Sequence, residues 1–347
     1  MPRALTRSLI AKLPKAELHC HLDGSVRPET LLELGREYGK PMPHDDAGAL
    51  REFMIVRDAR NLEDYLSRFS ITLSVMQRAE ALERIAYELL EDAAQDGITY
   101  IEVRYSPVLN TVDGLSLGEA VESALRGIAR GTRDFGVMGR VIICALRNLP
   151  AEKSLELARL AVAYKASGVV ALDLAGAEMG NPAGAHAAAF AHAREHDLAC
   201  TVHAGEGDGP ESIRQAVHLC GADRLGHATR LIEDASLAQY VNDRRIALEI
   251  CLTSNIQTRA ASTYEAHPLR EYFDHGHNVV LNTDNRLMSG TTLTDEYWYA
   301  VQHLGFTMRE LRTIARNGFA SAFLPWEDRL KLIAEAEQGF GDVEARS

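Results

Sequence analysis

The feature that most constrains this chain is an alternation. Short apolar runs with the character of strands stand near 17–22, 98–105, 138–146, 169–174, 199–203, 223–226, 246–251 and 278–283. Helical patterns fill most of the gaps, over 118–135, 152–167, 183–196, 210–220, 234–244 and 268–275. Eight strands alternating with helices in one uninterrupted array predict an α/β fold, a (β/α)8 TIM barrel. A doubly wound open sheet is the competing topology. It normally opens with a glycine-rich phosphate loop after the first strand, where this chain has a histidine pair. No low-complexity linker, short repeat or Pro/Ser-rich boundary interrupts the array, so residues 1–347 read as a single barrel domain.

The excess over a typical barrel of about 250 residues has two places to go. One is a helical insertion after strand 1, about 28–96, and the other is a set of C-terminal helices near 292–304, 307–320 and 325–338, expected outside the barrel. Within 61–69, Leu62, Tyr65, Leu66 and Phe69 share one helical face. That stripe reads either as a helix packed on the barrel or as an apolar lid over a site, since it follows a strand that carries candidate ligands.

Composition excludes several classes. A chain 46% hydrophobic and 25% charged can bury a sizeable core. A net charge of −12 argues against a basic face for nucleic acid or anionic membrane. No run of about 18 apolar residues predicts a membrane span. The N-terminus has no long apolar segment with a cleavage site, so export is not expected. The five cysteines (Cys20, Cys144, Cys200, Cys220, Cys251) are scattered and lack CxxC spacing, which suits reduced thiols in a cytoplasmic protein.

The strand ends carry the chemistry. His19 and His21 stand two apart in Glu17-Leu18-His19-Cys20-His21-Leu22-Asp23, and side chains at i and i+2 of a strand share a face. His203 ends a second apolar run, His227 a third and Asp284 a fourth. In a (β/α)8 barrel the C-terminal ends of the strands converge on one mouth. Three imidazoles and a carboxylate, His19, His21, His203 and Asp284, suit a catalytic zinc ion with a position open for water. Such a metal lowers the pKa of bound water from 15.7 to about 7. Glu206, three residues past His203 across Ala204 and Gly205, is then free to be a general acid. His227 is the remaining candidate base, or orienter of the water. His44, His186, His192, His196, His218, His267, His275, His277 and His303 read as surface or core histidines, and Asp45-Asp46 and Glu91-Asp92 as solvated acidic faces.

Taken together, His19-Cys20-His21-Leu22-Asp23-Gly24, Val202-His203-Ala204-Gly205-Glu206, Leu225-Gly226-His227 and Asn282-Thr283-Asp284 resemble the motif set of the adenosine deaminase family, in its bacterial form. Glu102-Val103-Arg104-Tyr105-Ser106-Pro107 and Asp173-Leu174-Ala175-Gly176 match as well, so the resemblance covers almost the whole chain in order. It implies a zinc-dependent (β/α)8 barrel with one Zn2+ per chain, and hydrolytic deamination of adenosine to inosine and ammonia in purine salvage. It also implies roles. His19, His21, His203 and Asp284 match zinc ligands, and Glu206 matches the acid that protonates purine N1. His227 matches the residue that orients or deprotonates the attacking water, from which Asp284 accepts a hydrogen bond. Gly176 matches a backbone donor to N3, and Asp23 the carboxylate that holds the 5′-hydroxyl. The smaller nucleobase-deaminase pattern, H-x-E with P-C-x-x-C, is absent.

Two positions depart from the family pattern. Asn285 stands where many relatives have a second aspartate. The position meets purine N7, an acceptor, and an amide donates there at any pH. Leu252 replaces a usual proline in Cys251-Leu252-Thr253-Ser254-Asn255. Three rival readings have discriminating features. Relatives acting on adenine or aminodeoxyfutalosine tend to carry Glu where this chain has Asp23. Two-metal amidohydrolases use a modified lysine at a strand end, and none stands here. A barrel kept only for binding should have lost a ligand or the acid.

Overall fold

The computed structural model describes residues 5–57, 59 and 62–345. Asn61, at the start of the predicted apolar stripe, lies outside them, as does the chain start read above for export signals, Met1–Ala4. Eight parallel strands follow one another in sequence order: β1 Lys15–His21, β2 Ile98–Tyr105, β3 Met138–Leu146, β4 Val169–Ala175, β5 Ala199–Ala204, β6 Arg224–His227, β7 Ala247–Ile250 and β8 Val279–Leu281. Every strand falls on an expected run. The open-sheet alternative is excluded by the order, since no strand is skipped and none returns to the other side of β1.

The ring is closed between β8 and β1 by a few specific bonds. Cys20 and Asp284 form a parallel bridge, with Asp284 N–H on His19 C=O at 2.9 Å and His21 N–H on Asp284 C=O at 2.7 Å. Below it side chains replace ladder bonds. Asn282 Oδ1 accepts from Leu18 N–H at 2.8 Å, and Glu17 accepts from Thr283 N–H at 2.9 Å and Thr283 Oγ1 at 3.1 Å.

Apolar side chains of the strands face outward onto the helices, as in Ile101, Val103 and Tyr105 of β2, and make the larger core. The alternate residues of β2, Tyr100, Glu102 and Arg104, point into the barrel and are buried. There Arg104 donates to Asp173 Oδ2 at 3.0 Å and Glu249 Oε2 at 2.9 Å. Arg224 donates to Glu249 Oε1 at 2.6 Å and to Glu102. Two guanidiniums against three carboxylates fill the barrel with fixed charge instead of aliphatic layers. Such burial is tolerable only because each ion is paired and hydrogen-bonded.

The stretch between β1 and β2 contains helices Pro28–Tyr38, Ala47–Met54, Leu62–Leu66, Phe69–Val75 and Ala79–Gln95. Only the first four are insertion. Ala79–Gln95 packs on Leu117–Phe135 and is the barrel's own first helix. The predicted 61–69 helix breaks after Leu66, where Ser67 N–H and Oγ both bond Asp64 C=O, at 3.2 and 2.7 Å, and draw the chain into a turn. At the other end, Met308–Ser321 lies against β1 and β8 and completes the ring of helices. It comes so near that a Cβ on Gly318 would sit 3.2 Å from the Ala16 Cβ. Leu293–Leu304 and Trp326–Ala345 are the true additions. Among the described residues no helix is long and apolar enough to cross a membrane.

Candidate active site

His19, His21, His203 and Asp284 come together at the C-terminal mouth, each offering one ligand atom, all within 4.8 Å of one another. His21 Nε2 lies 3.2 Å from His203 Nε2, and Asp284 Oδ1 lies 3.3 Å from His19 Nε2 and 3.4 Å from His21 Nε2. β1 delivers both of its histidines from one face, two apart, at the end of a strand whose register against β2 shifts between Glu17 and Cys20. β6 and β8 end abruptly: His227 and Asp284 have φ of 63° and 61°, in the left-handed region, and the chain turns away as soon as the side chain is placed.

The interior charges orient the ligands. Glu249 Oε2 lies 2.9 Å from His19 Nδ1, and Asp173 Oδ1 lies 3.1 Å from His203 Nδ1. Burial would raise both carboxyls. The Arg104 and Arg224 charges hold Glu249 well below the usual carboxylate range, and His203 and Arg104 do the same for Asp173. Permanent anions thus accept the Nδ1–H of each ring and leave the Nε2 lone pairs facing one point, the carboxylate–histidine arrangement of metal sites. His19 Nε2 is fully buried and has no hydrogen-bond partner among the described residues. A buried, unpartnered lone pair beside two imidazoles and a carboxylate fits a cation. Ser254 Oγ donates to Asp284 Oδ2 at 2.6 Å and leaves Oδ1 to the cluster.

Glu206 stands beside this group and outside it. Its Oε2 is 3.4 Å from His227 Nε2, and its Oε1 accepts from Thr258 Oγ1 at 2.9 Å. Burial, then the neighbouring Asp284 charge, pushes its carboxyl up to about 8, so it carries a proton at neutral pH. The loop bearing it is pinned by Glu178, whose carboxylate accepts from three successive amides, Gly205 at 2.6 Å, Glu206 at 3.0 Å and Gly207 at 2.7 Å. Asp23 and Asn285 line the same mouth, both buried, each with an Oδ1 lacking a hydrogen-bond partner among the described residues. Burial raises the Asp23 carboxyl to about 7. Gly24 cannot be larger, because a Cβ there would meet Asn285 Oδ1 at 1.8 Å. Gly176 follows β4 with φ 93°, on the loop that leads to Glu178.

Of the apolar stripe, Tyr65 is buried and hydrogen-bonds Ser289 Oγ at 2.9 Å, and Leu62 Cδ2 lies 3.3 Å from where a Cβ would stand on Gly207. The stripe thus divides between its two alternative readings: Leu66 and Phe69 pack on the core, and Leu62 stands beside Gly207, next to Glu206.

Motif reading gave several site residues no role. Glu249, Glu178, Thr258, Asn255 and His267 all touch a ligand, the acid or His227 directly or through one hydrogen bond. His267, expected to be an ordinary histidine, is buried and bonded to Asn255. One signal was available: Glu249 is a lone charge inside the apolar run Ala247-Leu248-Glu249-Ile250. Glu102 and Arg104 alternate with apolar residues in β2 in the same way, within the segment Glu102–Pro107 quoted above.

A (β/α)8 barrel whose strand ends gather three imidazoles, a carboxylate and a proton-bearing glutamate defines a metal-dependent hydrolase. The family model described as adenosine deaminase matches residues 14–338. An adenosine deaminase of Clostridium kluyveri is 38% identical over 328 residues, covering 94% of each chain. The chain belongs to the adenosine deaminase family. Among solved structures, an adenine deaminase from Arthrobacter aurescens superposes with a TM-score of 0.88 at 28% identity, over 94% of this chain and 98% of that one. An amidohydrolase from Burkholderia ambifaria, with bound Zn, gives 0.88 at 25% identity, over 100% and 97%.

Proposed function

We propose that this chain converts adenosine and 2′-deoxyadenosine, with water, to the corresponding inosine nucleosides and ammonia, as a cytoplasmic enzyme of purine salvage. The observation that carries the reading is the separation of labour at the mouth: four side chains converge on a cation position while Glu206, protonated and outside that group, faces the same space. His19, His21, His203 and Asp284 would hold one zinc ion, which when bound supplies a Lewis acid that makes water nucleophilic at neutral pH. Glu206 gives its proton to purine N1, which withdraws electrons from C6 as water adds there. The proton the water sheds goes by way of the Asp284 carboxylate to the exocyclic nitrogen, the C6–N bond breaks to release ammonia, and the new 6-hydroxyl returns a proton to Glu206 as it becomes the carbonyl. His227 and the Asp284 carboxylate orient that water. The Gly176 N–H and the Asn285 amide donate to N3 and N7, and Asp23 receives the 5′-hydroxyl. The apolar cover of Leu62 and Tyr65 keeps bulk water off the reacting face. Five buried free cysteines suit a reducing compartment.

The test is a panel of adenosine, 2′-deoxyadenosine, adenine and AMP, read by loss of ultraviolet absorbance, with metal counted in the same preparation. We expect one zinc per chain, activity lost on chelation and restored by zinc, and both nucleosides far ahead of adenine and AMP. Adenine turning over as well as adenosine, two ions per chain, or full activity after exhaustive chelation would each overturn the corresponding part.

Asp23 makes the nucleoside preference specific. A short buried carboxyl with an unpartnered oxygen leaves room for a sugar hydroxyl and faces a 5′-phosphate unfavourably. Asp23→Ala should lower kcat/KM for adenosine by about 1–3 kcal/mol, the cost of unpairing a buried polar group, and should hardly touch 5′-deoxyadenosine. Equal losses on both nucleosides would remove Asp23 from sugar recognition.

A further inference from the structure

A chain of hydrogen bonds runs from a backbone amide to the two side chains that handle protons. Leu269 N–H donates to His267 Nδ1 at 3.0 Å. A backbone amide can only donate, so this nitrogen must accept. His267 is buried, and burial pushes its pKa down to about 3, so the ring is neutral and its single hydrogen is on Nε2. That Nε2–H donates to Asn255 Oδ1 at 3.0 Å. The amide is thereby oriented with its Nδ2 toward the site. One Nδ2 hydrogen goes to His227 Nδ1 at 3.0 Å and the other to Glu206 Oε1 at 3.4 Å. Thr258 Oγ1 donates to the same Oε1. Both hydrogens of the amide are used, and both land on atoms that must be bare.

We propose that Asn255, oriented by His267, is a positioning residue for both proton-handling groups: it holds His227 as the tautomer with hydrogen on Nε2, and it holds the Glu206 proton on Oε2. The proposal rests on the reading of Glu206 and His227 as the catalytic pair. Its first consequence is that His227 presents an N–H to the mouth. If His227 Nε2 offered a lone pair instead, Nδ1 would carry the hydrogen and would face the Asn255 amide, two buried donors against each other. His227 therefore orients the attacking water by donating to its oxygen and does not remove its proton. The second consequence is that Glu206 delivers its proton from one defined oxygen. Oε1 already accepts two hydrogen bonds, so the O–H is on Oε2; its hydrogen turns toward the mouth and its lone pair faces the His227 Nε2–H, 3.4 Å away. Acid and donor then face one small space from adjacent directions.

Nitrogen-15 NMR of the zinc-loaded, histidine-labelled enzyme reads which ring nitrogen bears hydrogen, and a spectrum of His227→Gln identifies the His227 signals. In the wild type we expect Nδ1 bare and Nε2 protonated. Asn255→Asp places a carboxylate that accepts from both sides, and should move the His227 hydrogen to Nδ1. The same variant should keep its zinc and lose about 10–100-fold in kcat, the usual cost of an orienting partner. A wild-type His227 with hydrogen on Nδ1, or an unchanged order in Asn255→Asp, overturns the proposal. If Asn255→Asp does not fold, the wild-type spectrum decides alone, and His267→Ala should show His227 as a mixture of both tautomers. These spectra need no substrate, so a failed substrate panel and a failed tautomer assignment are told apart.

Discussion

Glu206→Gln should keep its full complement of metal and lose about 10²–10⁴ in kcat, the worth of a positioned general acid. The amide fills the same volume, and its oxygen can still accept from Thr258 and Asn255 where Oε1 does now. What it lacks is a proton to give. Glu206 lies outside the four-residue cluster, and Asp284 of that cluster raises its carboxyl through charge. Removing the acidic proton should therefore leave the cation position intact. Metal content measured by emission spectroscopy on the same sample as kcat separates the two roles. A variant that loses its metal would make Glu206 a ligand.

Glu249→Gln should cost about 3–5 kcal/mol of stability, the penalty for removing one partner of a buried ion network. Four donors converge on this carboxylate: His19 Nδ1, Arg104 Nη2, Arg224 Nε and Thr201 Oγ1. Glutamine has one acceptor oxygen for these four and turns an N–H2 against the rest. Arg104 keeps Asp173 and Arg224 keeps Glu102, yet both lose their shared counter-charge at a site buried from bulk solvent. His19 loses the acceptor that points its Nε2 at the cluster, so metal affinity should fall as well, by about 10–100-fold. Denaturant unfolding and a metal competition titration read the two effects separately. A stability loss below about 1 kcal/mol would mean that the arginines find other partners in the barrel.

The contrast between Glu206 and Glu249 shows what was legible in the sequence. Parallel strands buried on both faces read as continuous apolar runs, so all eight were visible, and the residues at their ends could be placed at one mouth by the barrel's geometry alone. His19, His21, His203, Asp284, Glu206 and Asp23 all sit in such places, and the structure brings them together there. What holds them was not visible. Glu178 reaches the Glu206 loop from a different strand end, and His267 reaches His227 through Asn255 from a loop that follows β7. These contacts join segments of unrelated pattern, and no periodicity encodes a hydrogen bond between two loops. The same limit explains the misplaced boundary between insertion and barrel. Ala79–Gln95 has the amphipathic character of any surface helix, and only its packing on Leu117–Phe135 shows that it belongs to the ring.

The seam between β8 and β1 has a consequence for how the molecule is put together. Its uppermost bonds are made by the main chain of His19, His21 and Asp284, and three of the four candidate cation ligands are the side chains of those same residues. First and last strands, about as far apart in sequence as any two in the barrel, are thus fastened by one set of residues in two ways. A ligand that binds only the folded form adds RT ln(1 + [L]/Kd) to stability, and here that increment falls on the joint where the loop to be closed is longest. A cation held there would be a clasp for the barrel. Substitutions in the candidate ligand set should loosen the circle along with the chemistry.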